Sequence, residues 1–149
     1  MNKTIKTFNK LIDAKEKEKQ GILSHYNHLK NKFEEVSNTL YELVKKEENA
    51  KSHLNKLIEE GDISRIQQQT RFIQHLEPLI QKQESHYAQA KDELHIEKLK
   101  LTQKNVEMKK IEKVKEKKIE EQIQLEKTKE SKDMDEISIN QFTKSWVMA

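Results

Sequence analysis

The chain has 149 residues, and its composition is too polar for a compact globular core. Charged residues make up 37% of the sequence and apolar residues 33%, whereas globular domains average about 25% and about 45 to 50%. The net charge of +3 comes from 29 basic and 26 acidic side chains, whose signs alternate in stretches such as Glu112 to Glu121. Such alternation is typical of a solvated helix face rather than of a nucleic-acid-binding surface. This composition excludes a globular enzyme and suits a coiled coil, which needs only about two apolar residues in seven.

The sequence also offers little that would support catalysis, metal binding or membrane insertion. It contains no cysteine, two glycines and one proline, so thiol chemistry, cysteine-based zinc sites and a Gly-rich phosphate loop are excluded. It has no apolar run long enough for a signal peptide or a membrane span, and we expect neither. His25 and His28 lie three residues apart, but the simpler interpretation is that they flank Tyr26 on a helix. We therefore expect no catalytic residues, no cofactor and no metal.

A heptad repeat of apolar residues runs through the first part of the chain. Sixteen positions from Ile5 to Leu57, reached by alternating steps of three and four, hold thirteen apolar residues, where chance would place about five. This pattern predicts a coiled-coil helix over about residues 3–60. The apolar members are Ile5, Phe8, Ile12, Ile22, Tyr26, Leu29, Phe33, Val36, Leu40, Leu43, Ala50, Leu54 and Leu57.

A second repeat follows the pair Gly61-Asp62, where one helix can end and another can be capped. Its members run from Ile66 to Ile111 with polar interruptions at Gln69, Gln83, Glu97 and Lys104. If the chain folds back at the glycine, every a position of one helix meets a d position of the other. The predicted layers are Leu57 with Ile66, Leu43 with Ile80, Val36 with Tyr87, Phe33 with Ala90, Leu29 with Leu94, Ile22 with Leu101, and Ile12 with Ile111. We therefore predict an all-α protein in which residues 1–130 form an antiparallel coiled-coil hairpin, with a turn at 61–62, a second helix over about 63–130 and a short C-terminal tail over 131–149.

The sequence departs from a plain coiled coil in three ways. Phe72 and Leu79 occupy g positions beside the core residues Ile73, Leu76 and Ile80, and we expect them to be partly exposed, either as a partner patch or as a shield for the seam edge. Pro78 interrupts the same stretch and predicts a kink at or before Glu77.

The third departure covers the two chain termini. Seam positions there hold lysines, and the heptad frame slips beyond Ile111, as at a stutter. The lysines are Lys15, Lys19, Lys104, Lys115 and Lys118, and the apolar residues out of frame are Val114, Ile119 and Ile123. In the tail, Ile137, Ile139, Phe142, Trp146 and Val147 favour a segment that becomes ordered on a partner. A frayed terminus is the alternative.

Two local strings resemble the FliJ family of the flagellar type III export apparatus. One is QQQTRFIQHLEPLIQKQ, from Gln67 to Gln83, just after the turn, and the other is KDMDEISINQF, from Lys132 to Phe142. The resemblance implies a non-enzymatic coiled-coil stalk that inserts into the hexameric flagellar export ATPase, promotes its assembly and contacts the cytoplasmic domain of the membrane export gate. It also implies binding of flagellar export chaperones and a location at the cytoplasmic face of the cell membrane, in the flagellar basal body.

The resemblance also implies roles for particular residues. Phe72 and Leu76 match the family's gate-binding motif, whereas Leu79 replaces a small residue and Gln83 replaces a histidine. Met134, Asp135, Glu136 and Phe142 match the C-terminal motif and are implied to form a tail that docks on the ATPase or another partner. Two other interpretations of the coiled coil stay open at this point: a nucleic-acid-contacting arm, and a generic tether or chaperone subunit.

Overall fold

The computed structural model describes the backbone of residues 2–148 and the side chains of residues 3–146. It consists of two helices, α1 (Asn2–Glu60) and α2 (Ile63–Met148), and residues 2–148 contain no β-strand. The predicted all-α class is confirmed. Met1, Ala149 and the side chain of Val147, which the predicted segments included, lie outside the described residues.

The turn between the helices is built by the two residues that the sequence singled out. Gly61 has a φ of 74°, a left-handed conformation that a residue without Cβ adopts at little cost. Its amide donates to the carbonyls of Leu57 and Ile58 at 3.0 and 3.2 Å and so closes the last turn of α1. Asp62 then caps α2, because its Oδ1 accepts a hydrogen bond from the amide of Arg65 at 3.3 Å.

The chain comprises two compact units, which we call the turn unit (residues 20–102) and the terminal unit (residues 1–19 and 103–149). In the turn unit, every predicted seam position is buried or half-buried. The best buried cluster consists of Ala50, Ile73, Leu76 and Ile80, and the half-buried Leu43 packs against it, as the predicted layer with Ile80 requires. Further along the seam, the rings of Phe33 and Tyr87 lie 5.2 Å apart.

Polar seam residues of the turn unit bond to the backbone of the facing helix. The Nε2 atom of Gln69 donates to the carbonyl of Ala50 at 3.1 Å, and that of Gln83 donates to the carbonyl of Val36 at 3.2 Å. Both contacts join residues within about one helical turn of their predicted layer partners. The antiparallel register predicted from the heptads is therefore confirmed in this unit.

In the terminal unit the seam shifts where the heptad frame slips. Met108 is buried and Ile111 half-buried, but further along α2 Ile119 is half-buried whereas Lys118 is exposed. Of the three apolar residues predicted to be out of frame, only Ile119 joins the shifted seam, since Val114 and Ile123 are exposed. The assignment of Lys118 to the seam is corrected. The apolar side chain of Ile119, one residue later, takes that place because its removal from water is favourable, whereas burial of an ammonium group costs the free energy of its hydration.

Beyond residue 122 every described side chain is exposed, although the helix continues. The predicted helix end near residue 130 is absent, since α2 runs on to Met148. The stretch from 131 to 148 contains no glycine or proline that would interrupt a helix. The predicted tail is thus the last part of α2, and its role as a partner-binding segment stays a prediction.

The contrast between Leu76 and Leu79 tests the register of the turn unit. We expect Leu76→Ala to lower the free energy of unfolding by about 2 to 5 kcal/mol, because Leu76 is buried in the cluster with Ile73 and Ile80. The matched variant Leu79→Ala should change it by no more than about 0.5 kcal/mol, because Leu79 is half exposed. Urea unfolding followed by circular dichroism measures both values. Equal losses would mean that the seam also runs through Leu79.

Candidate partner-binding surfaces

Phe72 and Leu79 form an exposed apolar patch beside the core of the turn unit. Their side chains are 45% and 52% exposed, whereas Leu76 between them is only 5% exposed and packs inward. Seven residues of helix separate the two exposed side chains, which places them on the same side about 10 Å apart along the axis. Of the two gate residues implied by the resemblance, Phe72 offers contact area and Leu76 supports the helix beneath it. Leu79, which departs from the family motif, completes the patch.

Gln83 belongs to the hairpin rather than to its free surface. It is half-buried, and its amide nitrogen is engaged with the carbonyl of Val36. A partner would have to break this bond to reach the side-chain amide. This geometry favours a structural role for Gln83, and its assignment as a gate residue stays a prediction.

Pro78 lies on the exposed side of α2, and the helix continues through it. Proline has no amide hydrogen, so the carbonyl of Gln74 lacks its usual intrahelical donor. At an exposed position water can satisfy that carbonyl, which explains how the helix tolerates the residue. The kink that Pro78 predicts stays a prediction.

The last part of α2 carries large apolar side chains with no helix against them in the described residues. Phe142 is 71% exposed and Trp146 is 75% exposed, and Ile139 completes a 3-4 spacing on the same side. The residues of the C-terminal motif, Met134, Asp135, Glu136 and Phe142, are all exposed. Apolar surface of this extent on a polar helix is typical of a partner-binding segment.

Glu97 is a buried carboxylate within the seam of the turn unit. Its Oε1 accepts from Nδ1 of His25 at 3.1 Å, and its Oε2 lies 3.5 Å from Nζ of Lys100. The hydrogen bond from His25 lowers the pKa of Glu97 and, together with the charge of Lys100, outweighs the opposing effect of burial. The sequence marked Glu97 as a polar interruption but did not identify its partner. A search of heptad layers alone misses it, because His25 lies at a g position.

His25 is thus engaged by a carboxylate on the other helix, and His28 is exposed. No group of three or more histidines, cysteines or acidic residues in the described part of the chain is arranged to hold a metal ion. The structure adds no support for a metal at the histidine pair.

Four charged residues form an ion-pair network in the terminal unit. Lys104 lies 2.6 Å from Glu18 and 3.4 Å from Glu107, and Lys15 lies 3.4 Å from Glu107. The hydrogen bond with Lys104 lowers the pKa of Glu18, and the same bond raises the pKa of Lys104. Burial acts to raise the pKa of Glu107, but the two lysines lower it overall. Two of the lysines that interrupt the seam therefore have carboxylate partners.

Neither helix, over the residues that the structure describes, has an apolar stretch long enough to cross a membrane.

These features define a class of protein, a two-helix coiled-coil hairpin with exposed apolar side chains beside its seam and along the last part of α2. The family model described as the flagellar FliJ protein matches residues 4–145. The flagellar FliJ protein of Bacillus subtilis (strain 168) is 32% identical over 136 residues, which cover 91% of this chain and 92% of that relative. No solved structure matches the chain. The chain belongs to the FliJ family of flagellar proteins, and the resemblance seen in the two sequence strings is confirmed.

The stability of the hairpin should fall in acid. The pKa values of Glu18, Glu97 and Glu107 are lower in the folded chain than in the unfolded chain, so unfolding takes up protons once the pH falls through the unfolded pKa. We expect the thermal midpoint to be highest above about pH 5 and to fall progressively as the pH is lowered toward about 3.

Glu97→Gln isolates the contribution of the buried carboxylate. The variant should have a lower midpoint at neutral pH and a shallower fall in acid than the original chain. Glu77→Gln, which changes an exposed carboxylate on the same helix, is the matched control. An unchanged acid slope in Glu97→Gln would show that Glu97 contributes nothing to the pH dependence.

Proposed function

We propose that this chain is a non-enzymatic component of the bacterial flagellar type III protein export apparatus. In this proposal it is a coiled-coil stalk that inserts into the hexameric export ATPase, promotes assembly of the hexamer and links it to the membrane export gate. Flagellar export chaperones are further partners, and the site of action is the cytoplasmic face of the membrane at the basal body. Membership of the FliJ family supports the flagellar role. The observation that carries the finer proposal is the exposed last part of α2.

The last part of α2 has the properties of a segment that completes its folding on a partner. Residues 123–146 would span about 36 Å as a helix, and all of their side chains are exposed. Several of them are poor helix formers, including Ser131, Asp133 and Asn140. Most of the stability of a helix in a protein comes from packing of its apolar face, and the hairpin supplies no such packing to this segment. The pore of a protein ring would supply this packing to Phe142 and Trp146.

The patch of Phe72 and Leu79 is the proposed contact for the export gate. Burial of a large apolar side chain contributes about 1.5 to 3 kcal/mol, and Phe72 has nearly half of its surface available. Leu76 holds this part of α2 against α1, so the patch is presented on a packed helix and does not have to form on binding. A preformed surface loses less conformational entropy when a partner binds.

The ATPase proposal is tested with the purified export ATPase of the same bacterium. We expect the chain to stimulate ATP hydrolysis and to shift the ATPase to hexamers in sedimentation. The double variant Phe142→Ala, Trp146→Ala should raise the concentration needed for half stimulation by at least about thirtyfold, since the loss of even one hot-spot aromatic residue costs about 2 kcal/mol or more. Tyr41→Ala removes an exposed aromatic ring from the turn unit and should leave stimulation unchanged. Absence of binding and of stimulation by the folded original chain would refute the stalk.

The gate proposal is tested with the purified cytoplasmic domain of the gate. Phe72→Ala should weaken binding about threefold to tenfold, because nearly half of the side chain is left for the partner to bury and full burial is worth about 1.5 to 3 kcal/mol. Helicity and the unfolding midpoint should stay nearly unchanged. Tyr41→Ala is again the matched control, since its ring is 65% exposed on another side of the hairpin. A large loss of stability in Phe72→Ala would instead assign Phe72 to the core.

A further inference from the structure

The patch of Phe72 and Leu79 lies on the face of the turn unit that is formed by the g positions of α1 and α2. Nζ of Lys32 and Oε2 of Glu93 lie 3.8 Å apart, which makes these two g positions neighbours across the helices. One heptad nearer the turn, the same relation pairs Thr39 with His86. The next two heptads pair Lys46 with Leu79 and His53 with Phe72. A cavity of about 220 Å³ lined by Lys32, Val36, His86, Gln89 and Ala90 agrees with this assignment.

The charge on this face is strongly one-sided. From residues 39 to 56 of α1 and 68 to 86 of α2, the g and c positions hold three lysines, three histidines and a single carboxylate. We call this surface the basic face. Its exposed charged, histidine and apolar members are Lys46, His53, Lys56, Phe72, His75, Leu79, Lys82 and His86, together with the carboxylate Glu42.

The opposite face of the same stretch has the reverse charge. Its e and b positions hold the carboxylates Glu48, Glu77 and Glu84 and a single lysine, Lys51, which pairs with Glu47 at 3.2 Å. The exposed apolar pair thus lies on the side of the turn unit where positive charge collects. Electrostatic complementarity selects partners by sign, so the two faces attract different surfaces.

We propose that the basic face docks an acidic amphipathic helix of a partner protein. Such a helix would place two apolar side chains about one heptad apart against Phe72 and Leu79 and would direct Asp or Glu side chains toward Lys46 and Lys82. A helix in this position lies along the groove between α1 and α2, an established mode of helix recognition. The inference rests on the proposed function, since it assigns the acidic helix to the export gate.

The groove continues beyond the patch. Ile96 is 53% exposed at a c position of the same face, and with Leu29 it lines a second cavity of about 440 Å³. Phe72 and Ile96 are separated by about 36 Å of helix, enough for a docked helix of about 24 residues. Two acidic residues at this end are already engaged, Glu93 with Lys32 and Glu97 with His25. They therefore do little to repel an acidic partner. Glu35 is exposed at a c position of the same face, so the acidic side chains of the docked helix would lie toward Lys46 and Lys82 and away from Glu35.

Two other occupants fit the face less well. A second copy bound through the same face would set lysine against lysine, since a two-fold interface brings identical patches together. A nucleic acid would use the lysines but would leave Phe72 and Leu79 in contact with phosphates and water, and three lysines make a weak phosphate-binding surface. The apolar centre with a basic rim favours an acidic, partly apolar helix.

The test uses the purified cytoplasmic domain of the export gate and the full chain. We expect the double variant Lys46→Glu, Lys82→Glu to bind at least about tenfold more weakly than the original chain at low salt. The affinity of the original chain should fall as salt is raised, whereas that of the variant should not. The matched control is Lys91→Glu, Lys98→Glu, which makes the same change in net charge at exposed e positions. It should change the affinity by no more than about twofold.

The outcomes separate this inference from the proposed function. If Phe72→Ala weakens gate binding and Lys46→Glu, Lys82→Glu does not, the gate contact stands and the acidic helix is refuted. If neither variant weakens binding, the gate contact itself is refuted. If Lys46→Glu, Lys82→Glu and the control Lys91→Glu, Lys98→Glu lose the same affinity, only the net charge of the chain matters. That result would overturn the assignment of the acidic helix to the basic face. Tight binding of a mixed-sequence RNA that is lost in Lys46→Glu, Lys82→Glu, with gate binding unchanged, would reassign the face to nucleic acid.

Discussion

The antiparallel register between α1 and α2 decides which side chains of the turn unit remain available to other molecules. Ile73, Leu76 and Ile80 turn inward against α1, and the same register leaves Phe72 and Leu79 at its edge. A rotation of α2 by one residue would exchange these roles, because neighbouring positions on a helix lie about 100° apart. The exposed apolar patch is therefore a consequence of core packing and not an addition to it.

Polar residues inside the seam weaken the hydrophobic contact but help to specify this register. Gln69 and Gln83 bond to backbone carbonyls of α1, and Glu97 bonds to His25. Among the described residues, no buried side-chain nitrogen or oxygen lacks a hydrogen-bond partner. A shifted alignment would retain many apolar contacts but would leave these groups unpaired at a cost of about 1 to 3 kcal/mol each. Buried polar groups in coiled coils lower the stability of the coiled coil but specify a single alignment of its helices.

Much of this arrangement could be predicted from the sequence, because heptad periodicity and turn chemistry are local properties. The seam residues and the exposed edge at Phe72 follow from spacing, and the turn follows from the residue type at Gly61. The engagement of Gln83 and Glu97 could not be predicted in the same way, since it depends on the reach of side chains between helices. The sequence did not predict the continuation of α2 past residue 130, because the heptad repeat fades there. The repeat fades where α2 no longer has α1 packed against it, and this does not require α2 to end. Lys118 was misplaced where a slip of the frame moved Ile119 into the seam.

The two candidate surfaces differ in what binding must supply. Phe72 and Leu79 sit on a helix that is already packed against α1, so a partner gains their burial with little ordering of this chain. Ile139, Phe142 and Trp146 lie on the last part of α2, where every described side chain is exposed, and a partner must also stabilise the stretch of helix that presents them. Part of the favourable free energy of burying the aromatic residues is then offset by the conformational entropy lost when the helix becomes ordered, as in coupled folding and binding. The packed surface is suited to discrimination by charge and shape, whereas the exposed helix is suited to contact over a larger area with a partner that encloses it.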